Sequence, residues 1–260
     1  MESLDYRLGG AADEPPVTFL HGFTQRKESW DELIGLLPAQ QCWLTVDLPG
    51  HGSSPPELAT MSLAGRAVVA LWDQLGIERS HLVGYSLGGR LALWIAAHYP
   101  SRVQSLTAIS SHAGLPELSR PMRRQEDQAL ADEIEARGVE WFAAKWAELP
   151  IFAGLKLREP EFIAMLQKLR LSNSATGLAA SLRGMGGGTT EPFWDRLGEI
   201  EAPTLLLAGT LDAPYIAYAE ELARSIPRAI VQIVNRAGHV VHLEQPERTA
   251  ELLAVHLSKR

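Results

Sequence analysis

The sequence predicts the α/β class: a mostly parallel central sheet flanked by helices, with a helical block inserted into it. Three observations carry that prediction. Short apolar runs alternate with helical stretches through about residue 112, and the alternation resumes at Ala202. Gly84-Tyr85-Ser86-Leu87-Gly88 fits the strand–turn–helix pattern G-x-S-x-G. An acid and a histidine, Asp212 and His239, then follow later strands in the order that this pattern expects.

The elements follow from local pattern. Val17–Leu20 is a short apolar strand ending in the turn His21-Gly22-Phe23. Residues 42–46 form the next strand, closed by the tight turn Pro49-Gly50-His51-Gly52, and 59–75 show helical periodicity. Residues 81–83 read as a buried strand, 90–97 as the helix after it, and 106–110 as the following strand. From about residue 113 to 195 the strand pattern is missing, and four amphipathic stretches, 125–137, 139–147, 161–171 and 176–185, occupy the interval. Strands resume at 203–209 and 230–234. The chain therefore divides into a core, residues 1–112 and 196–260, and an inserted helical cap, residues 113–195, expected on the side where Ser86 emerges.

Composition narrows the class. With 260 residues and 46% hydrophobic content, the chain can bury one large core. A net charge of −7 gives no support to a nucleic-acid partner. The single cysteine, Cys42, excludes an internal disulfide framework, suits a reducing compartment and reads as a buried strand residue. No basic start followed by an apolar run is visible, and no stretch approaches the roughly 20 apolar residues that span a bilayer. A cytoplasmic protein without a membrane span is expected. No histidine–carboxylate spacing suggests a metal, and no glycine-rich turn follows a strand as a nucleotide fingerprint does, so no cofactor is expected. Gly186-Gly187-Gly188, after a cap helix, reads as a flexible loop, and no segment specifies an oligomeric state.

The chemistry centres on Ser86. A serine on a sharp strand-to-helix turn is forced out of the sheet with its hydroxyl exposed, and its neighbours two positions away must be small; Gly84 and Gly88 are. His239 is the expected base and Asp212 the acid that orients it. Each lies beyond the carboxyl end of a strand, where open α/β sheets place their sites. The backbone N–H groups of Phe23 and Leu87 are the expected oxyanion hole. His242 is an alternative base that fits better as a structural or pocket residue, Asp195 is a rival acid only if the cap boundary is misplaced, and His21 and His51 read as shaping their turns.

Arginine marks the cap: Arg120, Arg123, Arg124, Arg170 and Arg183, with Arg90 four residues past Ser86. Arginine binds carboxylates bidentately and stays charged, although a cap arginine can equally belong to a solvated helix face. Arg90 lies at a helix N-terminus beside the serine, and both features favour a small anionic substrate. Trp146 and Phe152 either line the pocket or fill the cap core.

With these residues in place, the chain resembles the α/β-hydrolase superfamily along its whole length. More narrowly it is similar to the 2-succinyl-6-hydroxy-2,4-cyclohexadiene-1-carboxylate synthases of menaquinone and phylloquinone biosynthesis. The matching segments are 20–24, 47–52 and 84–90, the cap segments 146–152, 182–188 and 194–197, and the stretch 237–246. The resemblance implies a carbon–oxygen lyase on a hydrolase fold. Pyruvate is eliminated from 2-succinyl-5-enolpyruvyl-6-hydroxy-3-cyclohexene-1-carboxylate, with Ser86 acting as a base and with neither metal nor covalent intermediate. It implies substrate contacts from Tyr85, Arg90, Arg123, Arg124, Trp146 and Arg170, matching a substrate with three carboxylates. The chain departs from the family pattern at 118–122, where a Glu-Arg pair is usual, so the choice among Arg120, Arg123 and Arg124 stays open. It departs again at Ala213-Pro214-Tyr215, where a lysine and an aromatic are frequent. The alternatives are a serine hydrolase of an ester or carbon–carbon bond in a small carboxylated substrate, and a non-catalytic ligand-binding protein.

Overall fold

The computed structural model describes residues 3–11 and 15–258. Its sheet comprises β1 (Tyr6–Gly9), β2 (Val17–Leu20), β3 (Trp43–Val46), β4 (Ser80–Tyr85), β5 (Val103–Ile109), β6 (Thr204–Gly209) and β7 (Ala229–Val234), in the order β1-β3-β2-β4-β5-β6-β7. β1 pairs antiparallel with β3, and the other pairings are parallel. β2, β4 and β6 are buried along their whole length, as parallel strands covered on both faces must be. The chain passes from β2 outward to β3 and returns across β2 to β4. That reversal places the turn after β2 beside the end of β4, with Leu20 opposite Gly84, and opens a crevice at the carboxyl ends of the strands.

The helices are α1 (Asp31–Leu36), α2 (Met61–Gln74), α3 (Leu87–His98), α4 (Arg120–Ala147), α5 (Pro160–Leu171), α6 (Ala175–Met185), α7 (Ala213–Ser225), α8 (Val241–Glu244) and α9 (Pro246–Leu257). Alternation along each strand sorts them into layers. Leu82, Leu106 and Leu206 face α2, α3 and α7. Val83, Ile109, Leu205 and Leu207 face the opposite side, where α1, α8 and α9 pack. The Thr60 hydroxyl accepts the Leu63 N–H to start α2, and Ser174 does the same for Gly177 in α6.

Between β5 and β6 the described residues form helices and no strand. Gly138, at φ 85°, kinks α4, so the stretches 125–137 and 139–147 are two arms of one bent helix. This helical block has a small core of its own, in which Ala131, Ile134 and Phe142 of α4 meet Leu178, Ala179 and Leu182 of α6. Phe23, on the turn after β2, packs against that cluster from the sheet side. Among the described residues no helix is long and apolar enough to cross a membrane.

Candidate active site

The turn between β4 and α3 holds Ser86 at φ 51° and ψ −109°. Side chains rarely adopt that region, and the strain costs about 1–3 kcal/mol. Three hydrogen bonds hold it there. The Ser86 N–H donates to the Ile109 carbonyl (2.9 Å), and the Ser86 carbonyl accepts from the Arg90 N–H (2.9 Å) and the Ser111 hydroxyl (3.1 Å). Only glycine fits on either side: a Cβ on Gly84 would stand 2.2 Å from the Gly88 carbonyl oxygen, and one on Gly88 would stand 2.0 Å from that of Leu20.

Asp212 caps α7 just past β6, and His239 lies on the loop after β7. His239 Nδ1–H donates to Asp212 Oδ2 at 2.8 Å, which leaves Nε2 to accept the Ser86 hydroxyl at 3.2 Å. Buried Glu244 fixes that loop, its carboxylate accepting the N–H of Gly238 (2.7 Å) and of Val240 (3.0 Å), the two neighbours of His239. The rival residues fall elsewhere. His242 is buried between the Trp30 and Tyr85 rings, at 4.4 and 4.6 Å, and Asp195 sits in the short helical turn Trp194–Glu199.

The turn after β2 is held by two buried imidazoles. His21 Nε2 accepts the Leu48 N–H (2.9 Å) and its Nδ1–H donates to the Gly22 carbonyl (2.8 Å). His51 Nε2 accepts the Thr24 N–H (3.1 Å). Burial, with His21 alongside, lowers the His51 pKa to about 3, so the ring is neutral and can accept. The N–H groups of Phe23 and Leu87 donate to no group among the described residues, and both residues border the cavity above Ser86.

That cavity measures about 350 Å³. Ser86, His239 and Leu87 form its floor, while Trp146, Ile151, Phe152 and Met185 come down from the helical block. Arg90, on the first turn of α3, reaches its wall and is buried, with only 8% of its surface exposed. Its guanidinium donates to the Met185 carbonyl (2.9 Å) and the Thr190 hydroxyl (3.5 Å), and among the described residues no carboxylate pairs with it. Burial pulls its pKa down to about 10, so it remains a cation at neutral pH.

The other expected contacts divide. Arg123 borders the cavity, and its Nε donates to Asp127 at 2.8 Å. Arg124 is turned away, its Nε donating to the Gly188 carbonyl at 3.3 Å. Arg170 stands on an adjoining smaller cavity with Thr24, Tyr85 and Phe152, where burial lowers its pKa. Tyr85 belongs to both walls, and burial holds its phenol well above the ordinary value. Trp146 borders the larger cavity with its ring edge-on to Phe23 at 5.4 Å. His112, Tyr215 and Tyr218 complete that wall without having been singled out for it by sequence. The signal available for the first two was their place just beyond β5 and β6. Among the described residues no group of three His, Cys, Asp or Glu side chains is placed to hold a metal ion.

Known proteins are similar to this chain in sequence and in fold. A family described as alpha/beta hydrolase fold matches residues 15–246. A Klebsiella pneumoniae 2-succinyl-6-hydroxy-2,4-cyclohexadiene-1-carboxylate synthase is 31% identical over 250 residues, covering 94% of each chain. A Bacillus subtilis protein that carries the same name provisionally is 36% identical over 257 residues, covering 95% of this chain and 93% of its own. The chain belongs to the α/β-hydrolase family, in the branch of these synthases. Its structure agrees with that of a Staphylococcus aureus MenH at a TM-score of 0.91, with 30% identity and 97% of each chain covered. This is a family of enzymes, and the α/β-hydrolase fold is shared throughout its length.

Proposed function

We propose that the protein is a carbon–oxygen lyase that eliminates pyruvate from 2-succinyl-5-enolpyruvyl-6-hydroxy-3-cyclohexene-1-carboxylate. One observation carries this reading beyond kinship: buried Arg90 faces the cavity beside Ser86 with no carboxylate of the protein to neutralise it. A buried cation without a partner is costly, and an anionic substrate removes that cost. Arg123 borders the same cavity although it is ion-paired with Asp127, and Arg170 stands on the adjoining smaller one, which is in keeping with a substrate of three carboxylates.

The bond changes follow from the substrate and product. As Ser86 takes the proton from the ring carbon beside the succinyl ketone, His239 accepts the serine's own proton, with Asp212 stabilising the resulting imidazolium. The electron pair moves onto the ketone oxygen, where the N–H groups of Phe23 and Leu87 meet it; such donors contribute about 3–4 kcal/mol each. Collapse of that enolate shifts the ring alkene into the 2,4-diene and breaks the bond between the ring carbon and the ether oxygen. The enolate of pyruvate departs and takes up the proton that the His239 imidazolium gives back, which yields pyruvate and restores the neutral imidazole. The step calls for no metal and no acyl-enzyme. Residues 113–195 act as the cap that closes this space from water, with Trp146 and Tyr85 against the ring. Arg124, turned to Gly188, reaches the substrate only if α4 shifts.

The test is pyruvate release from that substrate by wild type, Ser86→Ala and Arg90→Ala. Fast release that falls at least about 100-fold in both variants supports the lyase. No release from wild type, together with brisk turnover of simple esters, overturns it in favour of a serine hydrolase.

A further inference from the structure

His112 lies just past the end of β5, in the sequence Ser110-Ser111-His112-Ala113-Gly114, and borders the same cavity as Ser86. The Gly114 N–H donates to His112 Nδ1 at 3.0 Å. A nitrogen that accepts carries no proton, so the ring's hydrogen is on Nε2. That N–H has no acceptor among the described residues, although the residue is only 6% exposed. The ring cannot swing freely to find one, because Tyr218 lies 5.0 Å away and Tyr215 6.3 Å away, both on the same wall. The result is a held donor on the same cavity wall as Arg90, close enough to feel the charge of its guanidinium.

We infer that His112 is a specificity-determining residue of this site, its Nε2–H donating to an oxygen of the substrate carboxylate that Arg90 holds. The inference rests on the anionic substrate proposed above. Its chemistry differs from that of a further arginine. Burial and the neighbouring Arg90 lower the imidazole pKa to about 3, so the ring adds a directed hydrogen bond without adding a charge that Arg90 would repel. The groups facing it are Arg90 and Arg123, which oppose its protonation, the neutral phenols Tyr215 and Tyr218, and His239. A cation and a neutral donor side by side select a carboxylate over a neutral carbonyl, because only the carboxylate offers two oxygens of sufficient basicity.

The experiment compares wild type with His112→Phe and His112→Leu, which lack the donor, and His112→Gln, which keeps an N–H, each verified as folded by circular dichroism. Pyruvate release is measured against substrate concentration, and the thermal upshift given by succinate is recorded as a readout independent of turnover. The donor role predicts a KM raised about 10- to 100-fold in the folded donorless variants with kcat little changed. It also predicts recovery to within a few-fold in His112→Gln and a succinate upshift that follows the same order. A purely structural role predicts a lower melting temperature and lower kcat at unchanged KM, with no recovery in the Gln variant; that result overturns the inference. If wild type releases no pyruvate but the succinate upshift still depends on the donor, the lyase reading falls and the His112 subsite stands.

Discussion

Asn173, in the connection between α5 and α6, donates its side-chain amide to the carbonyl of Thr24 at 3.0 Å. Its Oδ1 accepts the Gly52 N–H, also at 3.0 Å. Thr24 sits at φ 73°, a conformation held from one side by His51 and from the other by this asparagine. One buried residue of the helical block thus braces the turn that presents Phe23 to Ser86. Replacing Asn173 with Ala leaves a backbone donor and acceptor without partners, at about 1–3 kcal/mol for each group that stays dry. The expected outcome is a lowered urea midpoint and a kcat reduced about 10-fold, with KM less affected. Asn173→Asp, which keeps the acceptor for Gly52 but loses the donor to Thr24, should show a kinetic loss approaching that of the Ala variant. Unchanged kcat in both variants would show that the brace does not matter to the turn.

The same region shows how much of the site was legible in the sequence. Ser86, Asp212 and His239 lie far apart in the chain, yet each follows a strand whose apolar run is plain, and the fold brings strand ends together. The arginines were harder. Arg123 and Arg124 are adjacent on a helix and point about 100° apart, and nothing local says which faces inward. The structure turns Arg123 toward the cavity and Arg124 toward Gly188. β1 carries no strand signal in the sequence, because its four partly exposed residues at the sheet edge form no apolar run. His112 and Glu244 belong to the site through geometry that only the folded chain supplies, since their partners are backbone N–H groups.

Glu244 gives the second prediction. Its carboxylate ties down both neighbours of His239, so its removal acts on that imidazole through the loop. Glu244→Gln keeps one good acceptor and offers an N–H where the other acceptor stood, and Glu244→Ala keeps neither. Pyruvate release at saturating substrate should fall about 10-fold in Gln and about 100-fold in Ala, an ordering set by the hydrogen bonds lost. Equal activity in all three proteins would remove Glu244 from the positioning of His239.

Gly88 gives the third. A methyl group there would stand 2.0 Å from the carbonyl oxygen of Leu20 and 2.6 Å from that of His21, both of them backbone atoms. Gly88→Ala must therefore separate α3 from the end of β2, displacing Leu87 and the turn that carries Phe23 together. Activity should be lost almost entirely, and the melting temperature should drop as strongly as for a severe core substitution. Gly198→Ala, where a Cβ meets nothing within 4 Å, is the control expected to leave both unchanged.

The fourth prediction concerns acid. Burial lowers the pKa of His51, His112 and His242 to about 3 and that of His81 to about 4, from an ordinary 6.5. Above pH 6.5 these rings are neutral in the folded and unfolded chain alike, and they do not influence the balance. Below it the unfolded chain takes up protons that the folded chain refuses. Stability therefore falls as the pH drops from 6.5 toward 4, each ring contributing up to about 1.4 kcal/mol per pH unit. Four such rings make the loss at pH 5.5 a substantial part of the roughly 5–15 kcal/mol that holds a typical domain folded. His242 isolates the effect, because both its ring nitrogens are buried without a hydrogen-bond partner among the described residues. His242→Phe keeps the ring against Trp30 and Tyr85 and removes the titration. Urea midpoints at pH 8, 6.5 and 5.5 should then show a shallower acid loss, by about 1 kcal/mol per unit, with little change at pH 8. An acid limb identical to that of wild type would mean that His242 already accepts a proton in the folded protein, against the burial that surrounds it.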